Sequence, residues 1–82
     1  MSVRHEFDGD NLRGVNLSGC NLVDMDFTGA DMEGADLSWT QLSGACFARA
    51  NLRFCNFDGA ELFGVDFTGA DITFASFANV LK

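Results

Sequence analysis

A chain of 82 residues allows one domain with one small core and leaves no room for a separate catalytic lobe. Its 12 acids against 5 bases give a formal charge of −7, which repels nucleic-acid phosphates and anionic lipid headgroups, so direct nucleic-acid and membrane partners are not expected. No apolar run approaches the roughly 20 residues that span a bilayer, and a single domain over residues 1–82 in a cytoplasmic protein is the expectation.

The opening stretch Met1–Asp10 lacks the apolar segment of a signal peptide and carries His5, the only histidine. From Phe7 onward the chain falls into fives. Every fifth residue is large and apolar, in the order Phe7, Leu12, Leu17, Leu22, Phe27, Met32, Leu37, Leu42, Phe47, Leu52, Phe57, Leu62, Phe67, Ile72 and Phe77. Two places before each lies a mostly small residue, as at Cys20, Ala30, Ala45, Cys55 and Ala70. Between the two sits a polar residue, usually Asn or Asp, as at Asn11, Asn16, Asp31, Asp36, Asn51 and Asp71. The last two places take turn formers, and all nine glycines share the final place.

A period of five fits neither the 3.6 of an α-helix nor the two-residue alternation of a continuous strand. The pattern instead predicts three extended residues, pointing in, out and in, followed by a turn whose last place favours positive φ. Repeats this short cannot bury their own apolar side chains and must stack on copies of themselves, as solenoids do.

The fives Ala30-Asp31-Met32-Glu33-Gly34, Ala35-Asp36-Leu37-Ser38, Ala50-Asn51-Leu52-Arg53 and Ala70-Asp71-Ile72-Thr73 resemble the alanine, aspartate or asparagine, leucine consensus of pentapeptide-repeat proteins. The resemblance covers roughly residues 5–80 and implies an all-β, right-handed quadrilateral parallel β-helix of about four coils, with twenty residues to a coil. Residues twenty apart should then stack at about 4.8 Å. Phe7, Phe27, Phe47 and Phe67 share one such column, an interior phenylalanine ladder. Leu12, Met32, Leu52 and Ile72 share the second, and Leu17, Leu37, Phe57 and Phe77 the third. Leu22, Leu42 and Leu62 form the fourth, which Lys82 breaks.

The outer surface carries whatever function there is. His5 has no nucleophile or carboxylate in a recognised catalytic spacing, so catalytic residues are not expected. The aspartates recur singly, without the loop that gathers several oxygens on one ion, so neither metal nor cofactor is expected and the carboxylates read as structural or solubilising. Cys20 and Cys55 read as core fillers, and Cys46 points outward. Glu6, Asp8, Asp26 and Asp66, with Asp24 at the corner, make one side acidic, with Arg49 its one base. Arg13, Glu33 and Arg53 form a column able to pair across coils.

Trp39, Phe54, Phe63 and Phe74 break the polar outer pattern and read as a partner surface, with local turn packing as the alternative. Phe77, Val80 and Leu81 leave the last coil apolar, which predicts homodimerisation end to end through that coil, as the resemblance also implies. Two functions follow. The first is a non-enzymatic protein-interaction module whose partner is a protein of unspecified identity. The second, implied by the resemblance together with the acidic side, is a DNA mimic acting on gyrase, as the quinolone-resistance members do. Four coils at about 4.8 Å make too short a stack to reach along a gyrase-bound DNA segment without dimerising, and the sequence lacks the loop insertions of strong gyrase protectors.

Overall fold

The computed structural model describes residues 5–82. The domain reading over 1–82 and the reading of Met1–Asp10 include residues 1–4, which lie outside the described residues.

The chain winds so that each residue of the polar column meets its counterpart twenty residues on, through a parallel bridge. Four such columns divide the winding into four sides. Side 1 pairs Asp26, Cys46 and Asp66; side 2 pairs Asn11, Asp31, Asn51 and Asp71; side 3 pairs Asn16, Asp36, Asn56 and Ser76; side 4 pairs Asn21, Gln41, Glu61 and Leu81. Coil 1 is taken as residues 5–24, coil 2 as 25–44, coil 3 as 45–64 and coil 4 as 65–82.

Backbone pairing explains why five residues suffice for a side. On side 2, the Asp31 amide donates down to the Asp10 carbonyl at 3.0 Å, while the Met32 and Gly34 amides donate up to the carbonyls of Asn51 and Arg53, both at 2.8 Å. The chain then folds over at once, the Ala35 amide donating to the Met32 carbonyl at 3.0 Å. Only one residue per side forms a bridge, so the three-residue extended segment expected from the sequence shrinks to a single rung. The corner takes the rest: its last residue has φ between 58° and 76° at every one of the fifteen corners, glycine or not. Positive φ at the third place of a four-residue turn is the type II signature, and it forces the chain to turn before a longer strand can form.

Inside, the small and large residues fill the tube. Phe27, Phe47, Phe57, Met32, Leu37, Leu42 and Leu52 are buried, with Ala30, Ala35, Ala45, Ala50 and Ala60 beside them and Leu62 at the edge. Phe7, Phe27, Phe47 and Phe67 stack with ring centroids 5.2, 5.1 and 5.7 Å apart. Phe57 and Phe77 stack at 4.9 Å on side 3 and meet the first ladder edge-on, Phe47 to Phe57 at 5.8 Å. The side 1 and side 3 ladders thus lock through alternating stacked and T-shaped contacts, both favourable for the ring quadrupole.

Several expected core residues fall short of burial. Phe7, Leu12, Leu17, Leu22, Phe67 and Phe77 are half-buried, and Ile72 is 46% exposed. All lie in coils 1 and 4, where a neighbouring coil covers one face of the side chain and no other coil among the described residues covers the other. The same position corrects the reading of Cys20, which occupies an inward place yet is exposed, while Cys55 in coil 3 is buried. Thr40 fills the small place above Cys20 and is fully buried, its hydroxyl donating to the Leu37 carbonyl at 2.6 Å. That bond satisfies a polar group which would otherwise be costly inside the tube.

Candidate interaction surface

The polar column does more than face solvent. In ten fives the Asn or Asp side-chain Oδ1 accepts from the backbone amide two residues on, as Asn11 does from Arg13 at 3.1 Å, Asp36 from Ser38 at 3.0 Å and Asn56 from Asp58 at 2.9 Å. This Asx bond pins the start of each corner, a use of short polar side chains that competes well in turns. The reading of these carboxylates as structural acquires a mechanism here. Where a hydroxyl follows, it adds a second donor: Ser38 Oγ to Asp36 at 2.6 Å and Thr73 Oγ1 to Asp71 at 2.5 Å. Those side-chain hydroxyls, then the same residues' amides, hold the Asp36 and Asp71 carboxyls below the usual range. Asp26 is lowered to about 2, first by the Thr28 hydroxyl and then by His5, whose Nδ1 lies 2.7 Å from Asp26 Oδ2.

Side 1 brings Asp26, Cys46 and Asp66 into one column, with Thr28 Oγ1 3.2 Å from Cys46 Sγ. Glu6 and Asp8 are exposed at its N-terminal end, and Asp24 holds a corner at φ 60° with its carboxylate against Gly44. The acidic residues are therefore on one side, but Cys46 separates Asp26 from Asp66. No group of three or more potential metal ligands is gathered among the described residues. Burial pushes the Cys55 thiol up to about 11, so it stays protonated and inert at neutral pH.

On side 2 the charge column pairs as its spacing suggested. Arg13 Nη2 reaches Glu33 Oε2 at 2.7 Å, Arg53 Nε lies 3.8 Å from Glu33 Oε1, and Arg53 Nη1 lies 3.4 Å from Asp71 Oδ2. Asn51 Nδ2 donates to Asp31 Oδ1 at 3.1 Å within the same network.

The exposed aromatics occupy specific corners. Trp39, Phe54 and Phe74 are 69%, 55% and 75% exposed, and all three stand at the corner place with φ of 58°, 59° and 61°. Phe63 is 52% exposed one place earlier, on a side 4 corner. Phe54 and Phe74 stack at 5.2 Å along the corner between sides 2 and 3, and the Arg53 guanidinium lies 5.8 Å from the Phe54 centroid. Trp39 stands on the opposite corner of side 3, and its indole lies across Gly59 in the next coil, where a Cβ would meet Trp39 Cε3 at 2.3 Å. The indole therefore reaches the level of coil 3, the coil that carries Phe54.

Side 3 is consequently a strip with an aromatic rail on each edge. Its outward residues are Asn16, Asp36, Asn56 and Ser76, with Asp58 at the Trp39 corner. Sequence reasoning found the rails but not Asp36 and Asp58 between them; the place of each in its five was the available signal. At the far end Phe77 and Val80 are half-buried and Leu81 is exposed, bridging Glu61.

A family model for pentapeptide repeats matches the chain in 8 copies over residues 11–47 and 45–81. The chain belongs to the pentapeptide-repeat family. The right-handed β-helical solenoid of that family is accordingly its architecture. Among solved structures, this pentapeptide-repeat chain is similar to a pentapeptide repeat protein of the Arabidopsis thaliana thylakoid lumen, at 31% identity and a TM-score of 0.85, covering 85% of this chain and 48% of that one. It is also matched to the pentapeptide repeat protein Rfr23 of the cyanobacterium Cyanothece 51142, at 25% identity and a TM-score of 0.40, covering 87% of this chain and 59% of that one. The chain thus spans about half the length of the thylakoid protein. No protein with a curated description matches it.

Proposed function

We propose that this pentapeptide-repeat chain is a non-enzymatic protein-interaction module whose contact surface is built from Trp39, Phe54, Phe74 and, around the tube, Phe63. The observation that carries the reading is where three of these rings stand. A side chain held in the left-handed region costs about 1–2 kcal/mol, and nine of the fifteen corners avoid that cost with glycine. Three of the six corners that keep a side chain there carry exposed rings, the others being Asp24, Arg49 and Asn79, and a ring at such a corner is a cost that folding does not require. Exposed aromatic side chains are enriched at interface cores, and Trp39 is of a residue type enriched at binding hot spots.

The acidic side does not favour the gyrase reading in the same way. Its carboxylates are interrupted by Cys46, Asp26 is engaged by His5 and Thr28, and Asp66 pins its own corner.

The test replaces Trp39, Phe54 and Phe74 together by glycine, the residue already present at equivalent corners, and compares captured partners with those of the parent protein. Loss of the captured set with an unchanged melting profile is the expected result. An unchanged set rejects the surface.

A further inference from the structure

On side 3 carboxylates lie between aromatic corner residues on both edges, Phe54 and Phe74 on one and Trp39 on the other. Side 3 comprises residues 15–19, 35–39, 55–59 and 75–79, and its only charged residues are Asp36 and Asp58. The hydrogen bonds those two accept fall on Oδ1: Ser38 amide and hydroxyl on Asp36, Ser76 hydroxyl and Ala78 amide on Asp58. Among the described residues none donates to Oδ2 of either, which leaves it to accept from a ligand. Side 1 is more acidic but bears Arg49 and no exposed ring, and Phe63 on side 4 stands outside the strip.

Resting on the interaction reading above, we infer that side 3 binds an extended, lysine- or arginine-bearing segment of a partner protein, its cationic side chains set between the Trp39 and Phe54–Phe74 rails against Asp36 and Asp58. Charge complementarity selects this occupant. The strip is purely anionic, it lies on a chain of net charge −7, and its edges present π faces that attract cations, tryptophan most strongly. The one cation beside a rail, Arg53, approaches Phe54 from side 2 and is held there by Glu33 and Asp71, so it leaves the side 3 carboxylates uncompensated. The strip is open, and the bridge column beneath it repeats along the tube axis at the strand spacing of about 4.8 Å. An extended chain can lie along such a surface and present alternate side chains to it.

Trp39 is the only tryptophan in the chain and sits on the rail, so the intact protein carries its own reporter. The probe is a short synthetic peptide of alternating lysine and serine, with the glutamate–serine peptide as its control. Titration should change Trp39 emission saturably with the first and not with the second. Anisotropy of the labelled lysine peptide should show affinity falling about tenfold for Phe54→Gly and for Asp36→Asn. Both variants keep the corner geometry, since glycine occupies equivalent corners and asparagine makes the same Asx bond at Asn16 and Asn56. Asp66→Asn, on side 1, should bind as the parent does. Absence of lysine-peptide binding overturns the inference, as does an equal loss for Asp66→Asn and Asp36→Asn, which would mean attraction to net charge alone. If the peptide fails while the triple glycine variant still loses its captured partner, the interaction surface stands and only the cationic occupant is wrong. If both fail, both readings fall.

Discussion

Asp36 and Asn56 hold the same place in neighbouring coils and perform the same task, each accepting the amide two residues on, yet only one of them titrates. The difference gives a clean pH experiment. Because hydrogen bonds lower the folded-state value of Asp26, Asp36 and Asp71, their contribution to stability is complete above the ordinary carboxylate value of about 4. It is lost as pH falls through the folded value, which for Asp26 is about 2. The denaturant midpoint should therefore drop between about pH 5 and pH 2. A variant with Asp26→Asn and Asp36→Asn should show a visibly shallower drop, because asparagine keeps the acceptor and removes the proton. Gly59 offers a second test at this scale. Gly59→Ala introduces a Cβ at φ +73° and into the Trp39 ring, so stability should fall by about 1–2 kcal/mol and Trp39 emission should shift as the indole lifts away. In a Trp39→Gly background the collision is gone, and a double-mutant cycle should return a smaller loss.

At the scale of one side, the bridging columns show an order that no single five reveals. Side 2 runs Asn11, Asp31, Asn51, Asp71 and side 3 runs Asn16, Asp36, Asn56, Ser76, so carboxylates directly above one another are kept apart by an amide. Like charges opposed across a ladder are destabilising. Asn51→Asp would put three carboxylates in succession and remove the Nδ2 donor to Asp31. It should cost about 1 kcal/mol, with partial recovery at high salt, read from denaturant melts. Asn21→Asp, whose bridge partner is Gln41, should cost little. The columns themselves were legible in the sequence, because a fixed period fixes which residues face inward and which lie one coil apart; hence Phe27 under Phe47 and Phe54 under Phe74. What was not legible depends on side-chain torsion and on depth along the tube. Nothing in the period tells that the Trp39 indole lies across Gly59, that Thr40 closes its hydroxyl on Leu37, or that Ile72 faces inward yet stays exposed. The Asx bonds were within reach, since Asn or Asp two places before a turn residue is their signal, but the sign of their acidity needed the hydroxyls of Ser38 and Thr73 in place.

Over the whole molecule, stability rises toward the middle of the stack because each coil is held only by its neighbours. Phe47 in coil 3 stacks on Phe27 below and Phe67 above and meets Phe57 edge-on, while Ile72 in coil 4 is nearly half exposed. Phe47→Ala opens a cavity worth about 3–5 kcal/mol, against a total of about 4–12 kcal/mol expected of a chain this long. Such a loss is enough to unfold a large fraction of the protein at 25 °C. Ile72→Ala removes partly hydrated surface and leaves no closed void, so it should cost under about 2 kcal/mol. Amide hydrogen exchange separates this graded picture from a uniformly cooperative one. The amides of Phe47, Asn51 and Asn56, each donating to a neighbouring coil, should exchange only through the deepest opening. Those of Ala70 and Ala75, which close corners within coil 4, should exchange through local fraying at markedly lower free energy. Phe47→Ala should then lower protection at both ends as well as the centre, because coils 1 and 4 have no independent core, whereas Ile72→Ala should lower it in coil 4 alone. Equal protection across all four coils in the parent protein would show that the tube opens as one unit and that neighbour-by-neighbour stacking does not govern its stability.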